Sequence, residues 1–156
     1  MKLQDFDFRI WDGKKYLKQK IYNDNINNNE YIAVTGNVDD ENYILTIEHS
    51  CESNYYGGDY DEYCKVKDFT TCNYEIELFT GLYDKKGKKV YENDIVKVKS
   101  LYDYFLAKIS IHKEGTFYFE GKNGDYIGSL IYLVEDEGYT IETIGNIHEN
   151  KELLKG

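Results

Sequence analysis

A chain of 156 residues and 18.4 kDa can bury more than half of its unfolded surface, so it needs no disulfide or metal to fold. Its 29 acidic against 19 basic residues give a formal charge of −10, which opposes non-specific binding to phosphate backbones and favours a basic partner. Aromatic residues make up 16% of the chain, with 17 tyrosines, so much of the core must be ring rather than aliphatic.

Residues 6–11, FDFRIW, alternate Phe6, Phe8 and Ile10 with Asp7 and Arg9, the period of a half-buried strand, and Asp12-Gly13 follows as a turn. Residues 14–29 run into a cluster of asparagines that suits a loop better than a helix interior. YIAVTGN at 31–37 and NYILTIE at 42–48 read as short strands. Residues 39–62 hold eight acidic residues and no Lys or Arg, with Tyr43, Tyr55, Tyr56, Tyr60 and a Gly57-Gly58 pair. That segment has no helical periodicity, and its 53–62 part is expected to be an exposed, mobile loop.

In the second half, NYEIELFTGLYD alternates Tyr74, Ile76 and Leu78 with Glu75 and Glu77 before Thr80-Gly81. A Lys86-Gly87 turn, Val90, and then Ile95, Val96 and Val98 give strand, turn and strand. Leu106, Ile109 and Ile111, a Glu114-Gly115 turn, Phe117 and Phe119, and Asn123-Gly124 continue the meander. Ile141 and Ile144 mark a closing strand, and Asn150 is placed to cap a last helical turn over 151–154. The pattern predicts a mainly β, β-rich α+β protein. A strand-rich region over 1–75, with the acidic insertion at 39–62, precedes an SH3-like small β-barrel over 76–156. Proline is absent, so sheet edges must be covered by closure, charge or a partner chain.

Three cysteines, Cys51, Cys64 and Cys72, are an odd set, and the opening MKLQDFDFRIWDG has no basic end followed by an apolar run. No apolar stretch approaches the ~20 residues of a membrane helix. The expected setting is the cytoplasm of a bacterial host cell, with reduced thiols and no membrane contact.

FRIWD at 8–12, FTGLYDKKGKKVYENDIVKV at 79–98 and IETIGNIHENKELL at 141–154 are, in this order and at comparable separation, similar to the YopX family of phage and prophage proteins. The family's central block has the form TGL.D..GK.IYEGDIV and its last block the form IGNIYENPELL. The chain departs at Asn93, where Gly is frequent, at His148, where Tyr is common, and at Lys151, where Pro is usual. The resemblance leaves out residues 22–74. It implies a β-rich fold, a homo-oligomer and a phage or prophage origin, and it assigns no biochemical activity. From the residues themselves, Gly81, Gly87 and Gly145 are expected where strands end or reverse. Tyr91 and Asp94 fit a strand entry tied by a local side chain to backbone bond.

Candidate chemistry is sparse. His49, Cys51, Cys64 and Cys72 lack the paired spacing of a zinc site, and His49, His112 and His148 sit in no nucleophile signature. No phosphate loop or dinucleotide fingerprint occurs, and no cofactor is expected. Lys85, Lys86, Lys88, Lys89, Lys97 and Lys99 around Tyr83 and Tyr91 suit single-stranded nucleic acid. In the opposite sense, Asp39, Asp40, Glu41, Glu48, Glu52, Asp59, Asp61 and Glu62, with Tyr55, Tyr56 and Tyr60 as anchors, could mimic a phosphate backbone. The expected function is non-enzymatic binding of a host protein, inhibiting a nucleic-acid-binding or defence complex. A nucleic-acid accessory role is the alternative, and a metal-dependent or hydrolytic enzyme the third.

Overall fold

The computed structural model describes residues 1–17 and 73–155, together with the backbone of five strands between them. The chain divides into two compact units, Met1–Arg9 with Glu77–Gly156, and Ile10–Ile76. The first nine residues therefore belong with the C-terminal half.

β1 (Phe8–Trp11) ends where Asp12 Oδ1 accepts hydrogen bonds from the Lys14 and Lys15 amides at 2.7 and 2.8 Å, the expected turn. Trp11 meets Tyr16 edge to face at 4.9 Å. Beyond it, β2 (Glu30–Gly36), β3 (Tyr43–His49) and β6 (Val66–Asp68) make an antiparallel sheet in the order β2-β3-β6. β4 (Glu52–Tyr56) and β5 (Asp59–Tyr63) make a two-stranded sheet of their own. The loop expected at 53–62 is thus a hairpin: Tyr55 stands opposite Tyr60, and the pair Tyr56↔Asp59 brackets Gly57-Gly58 in the sequence. Tyrosine favours strands, and two glycines between strand-forming runs are a hairpin signal that the acidic composition obscured.

The other unit begins with β7 (Glu75–Tyr83) and β8 (Lys89–Tyr91), which join β1 in the order β1-β7-β8. β9 (Asp94–Lys99), β10 (Tyr104–Ile111), β11 (Phe117–Glu120), β12 (Tyr126–Ser129) and β13 (Thr140–Asn146) form an antiparallel sheet in the order β12-β11-β10-β9-β13. Val90, Val96, Val98, Ala107, Ile109, Phe119, Leu130 and Ile141 pack into one core, each of these side chains larger than alanine stabilising the fold by about 1.5–3 kcal/mol. Phe105 meets Phe119 edge to face at 6.1 Å.

The mainly β class holds, but the sheet does not close into a barrel. β12 and β13 are its two edges. After β12 the chain leaves the sheet in a wide helical turn, Tyr132–Asp136, and Leu133 packs so closely on Gly128 that a Cβ there would come within 2.8 Å of it. The β13 edge is met instead by the turn after β7: the Lys85 amide donates to Ile141 O at 2.9 Å, and Asp84 Oδ2 accepts from the Thr143 amide at 3.1 Å.

β7 also reverses the face its alternation suggests. Glu77 and Thr80 are buried while Ile76 is half exposed. Gly81, at a register shift of the β7–β8 pair, has φ +87°, and Gly87 in the following turn has φ +82°.

Asp84 holds that turn. Its Oδ1 accepts from the Lys86 and Lys88 amides, both at 2.9 Å, and its Oδ2 reaches β13. Burial pushes its carboxyl up, but the amides of Lys88, Thr143 and Lys86 override this and hold it below the ordinary carboxylate range. A depressed carboxyl stabilises the fold above the unfolded aspartate value of ~3.9, and that stability is lost as pH falls through the folded value. Asp84→Asn should therefore cost about 1–3 kcal/mol at neutral pH. Urea unfolding of both proteins should show the difference shrinking in acid.

Candidate functional site

Arg9 projects from β1 to two buried carboxylates. Its Nε donates to Glu77 Oε1 at 2.7 Å, and a terminal nitrogen donates to Asp94 Oδ1 at 2.8 Å and to Glu92 O at 3.2 Å. Glu77 is fully buried, and its second oxygen accepts from Asn93 Nδ2 at 2.7 Å and meets His148 Nε2 at 2.9 Å. The second oxygen of Asp94 accepts the Tyr91 amide at 2.8 Å, the local bond expected from the sequence. Burial pushes the Asp94 carboxyl up, and Arg9 with the Tyr91 amide opposes it.

Tyr91 closes one side. Its ring lies under the Arg9 guanidinium at 4.7 Å, and its hydroxyl donates to Asp7 at 2.5 Å. Lys89 Nζ donates to the same Asp7 oxygen at 2.9 Å. Burial and the Asp7 carboxylate push the Tyr91 hydroxyl far above its ordinary value.

Asn93 has φ +69°, the left-handed conformation that Asn tolerates better than most residues. Its amide donates to Ile109 O at 2.7 Å, and its carbonyl accepts from the Ile147 amide at 3.1 Å.

The C-terminal block folds back on itself. Asn146 Oδ1 accepts from the His148 and Glu149 amides at 3.0 and 2.9 Å, and Asn150 Oδ1 accepts from the Asn146 amide at 3.2 Å. Asn150 thus stands at the start of the short helical turn Lys151–Leu154 without capping it, because its oxygen points backward. Gly145 lies within β13 rather than at a reversal. It leaves room for Asn150, since a Cβ there would fall 2.5 Å from Asn150 Oδ1.

Both oxygens of Glu77 and one oxygen of Asp94 therefore have partners from other parts of the chain, and the second Asp94 oxygen is held locally by the Tyr91 amide, which is the chemistry of a clamp. The three sequence blocks meet in it: Arg9 comes from the first, Tyr91, Asn93 and Asp94 from the second, and His148 from the third. Sequence reasoning quoted these residues inside the blocks and gave the tie between Asp94 and Tyr91, but it missed the clamp they build and missed Glu77, whose alternation with Ile76 and Leu78 suggested an exposed side chain.

The predicted binding residues fall differently. Asp39, Asp40 and Glu41 lie outside the described residues. Glu48 is placed in β3, Glu52, Tyr55 and Tyr56 in β4, and Asp59, Tyr60, Asp61 and Glu62 in β5, each by its backbone. His49 ends β3, and Cys51, Cys64 and Cys72 lie outside the described residues.

The lysine cluster is partly neutralised. Lys85 and Lys86 pair with Glu142 at 3.0 and 2.9 Å, Lys89 pairs with Asp7, and Lys97 stands over the Tyr104 ring at 4.3 Å. Lys88 and Lys99 are exposed. His112 stacks on Tyr118 at 4.0 Å beside Tyr126. A cavity of about 280 Å³ is lined chiefly by Phe6, Leu78, Phe79, Ile111 and Phe117, with Asp5 and Asp7 also on its wall.

The fold and the clamp define a mainly β protein in which one residue or more from each of three separated blocks is stitched together around a buried glutamate. The chain belongs to the YopX family, whose pattern, described as YopX protein, matches residues 7–155. That match runs through residues 22–74, which the three blocks by themselves left out. Two solved structures share the fold. Protein EF1440 from Enterococcus faecalis is 24% identical with a TM-score of 0.51, over 96% of this chain and 98% of that one. Protein yopX from Bacillus subtilis is 20% identical with a TM-score of 0.50, over 94% and 95%. No curated protein matches the chain.

Arg9→Met should cost about 3–5 kcal/mol in chemical denaturation, because it strands two buried carboxylates without their cation. Gly145→Ala should destabilise by about 1–3 kcal/mol as the new methyl displaces Asn150, and hydrogen exchange should show the 146–150 turn opening first.

Proposed function

We propose that the chain is a non-enzymatic binding protein of phage or prophage type that engages a basic surface of a host protein through the hairpin β4–β5. The observation that carries this reading is a division of labour between charges. Arg9, Asp94 and His148 of the family blocks go into the interior clamp around Glu77, whereas Glu52, Asp59, Asp61 and Glu62 share a two-stranded sheet with four tyrosines and no cation. Carboxylates and tyrosine hydroxyls along a short ribbon fit a surface built to hold phosphates, with fast, salt-sensitive association. A basic nucleic-acid-binding or defence complex in the host cytoplasm is the matching partner class. Among the described residues no helix is long and apolar enough to cross a membrane. The paired state of Lys85, Lys86 and Lys89 weighs against the alternative, direct nucleic-acid binding by the lysine-rich turn.

The test is capture from host lysate at low and high salt with the wild type and with the triple variant Asp59→Lys, Asp61→Lys, Glu62→Lys. A protein retained by the wild type at low salt, released by salt and absent from the variant is the expected outcome. The same capture profile for both proteins at both salt concentrations would sink the proposal. Titration with single-stranded DNA should show no binding by either.

A further inference from the structure

Every residue on the wall of the 280 Å³ cavity belongs to the unit formed by Met1–Arg9 and Glu77–Gly156, and none belongs to the β4–β5 hairpin. Its apolar wall is Phe6, Leu78, Phe79, Ile111 and Phe117, none of them fully buried, and Phe6 is 44% exposed. Gly81 and Gly115 carry the backbone past it, and no atom lies within 4 Å of where a Cβ would stand on either. Two of the three polar side chains on the wall are already in use. Thr80 Oγ1 donates to Val90 O at 2.8 Å and accepts from the Leu82 amide at 3.2 Å. Asp7 Oδ1 accepts the Phe8 amide, and its other oxygen is held by Lys89 and Tyr91. Asp5 is the exception: its carboxylate is exposed and has no hydrogen bond or ion pair among the described residues, and no Lys, Arg or His lines the cavity.

We propose that this cavity binds a small organic cation, with an ammonium or guanidinium group at Asp5 and one ring or a short aliphatic body packed against Phe6, Leu78 and Phe117. Size and charge select this class. Sites for drug-sized ligands run from about 300 to 1,000 Å³, so this space suits a single ring better than a nucleotide. An anion would meet two carboxylates, and the lysine beside them is already paired with Asp7. A neutral apolar ligand would cover the rings but give Asp5 no partner in place of the water it displaces. A cation on an apolar body answers both walls, since it takes the Phe6 ring out of water and pairs with the free carboxylate. Because Asp5 is exposed, the ion pair adds a modest preference that salt screens, while the ring contact is insensitive to salt.

Titration of the isotope-labelled full chain with phenethylamine, 2-phenylethanol and 3-phenylpropionate, followed by amide chemical shifts, tests it. Expected are saturable shifts at Phe6, Gly81 and Gly115, with the amine bound about three- to fivefold more tightly than the alcohol and the carboxylate bound most weakly. Asp5→Asn should bring the amine to the level of the alcohol, and Phe6→Ala should weaken both. Asp136→Asn, which removes an exposed carboxylate that is not on the wall, should change neither. No saturable shift at those amides with the amine up to about 10 mM overturns the proposal. Equal affinity for amine and alcohol in the wild type does so too, as does a loss in Asp136→Asn as large as in Asp5→Asn, which would mark attraction to the net charge of −10 alone. If Asp5→Asn does not fold, a wild-type preference for the amine that salt leaves unchanged overturns it as well.

Discussion

Arg9 sits between Glu77 and Asp94, and the order of much of the unit depends on that one guanidinium. Burying two carboxylates is costly unless a cation and hydrogen bonds compensate. The planar fork of arginine meets both at 2.7 and 2.8 Å while its flat face rests on Tyr91. A lysine could supply the charge but not the two directed contacts. The remaining oxygen of Glu77 then fixes Asn93 and His148, so one residue near the N-terminus sets the turn before β9 and the turn after β13. The network couples segments as much as 139 residues apart, as the numbers of Arg9 and His148 show.

Side chains bonded to backbone do the rest of the joining. Asp84, Asp94, Asn146 and Asn150 each accept amide hydrogens at places where the chain turns, and each removes a donor that would otherwise be unpaired near the core. Asp84 has the further effect of occupying a sheet edge. The same carboxylate that shapes the turn after β7 thereby leaves β13 less able to recruit a strand.

The acidic balance of the chain is divided in the same way. Glu77 and Asp94 are interior and compensated, and Glu142 is held at the surface by two lysines that keep its carboxyl below the ordinary range. The β4–β5 ribbon carries Glu52, Asp59, Asp61 and Glu62 and no lysine or arginine in its sequence. A net charge therefore says little about which surfaces repel and which attract until the paired groups are set aside.

The sequence by itself determined the strand-rich class, most turns, the tie between Asp94 and Tyr91, and the family. These are local properties: Lys86-Gly87, Glu114-Gly115 and Asn123-Gly124 reverse the chain through their own backbone preferences, and three blocks in order identify a family without any contact being known. The hairpin at 52–63 was legible too, in its Gly-Gly flanked by tyrosines, but the acidic composition drew the reading toward a loop. Only the tertiary structure decided that Glu77 points inward while Ile76 does not. The partner that permits this, Arg9, is 68 residues away, and no period within β7 contains that information. Tertiary structure likewise decided that the sheet stays open, because closure is a contest at the edge of β13, and the Asp84 turn rather than β12 occupies that edge.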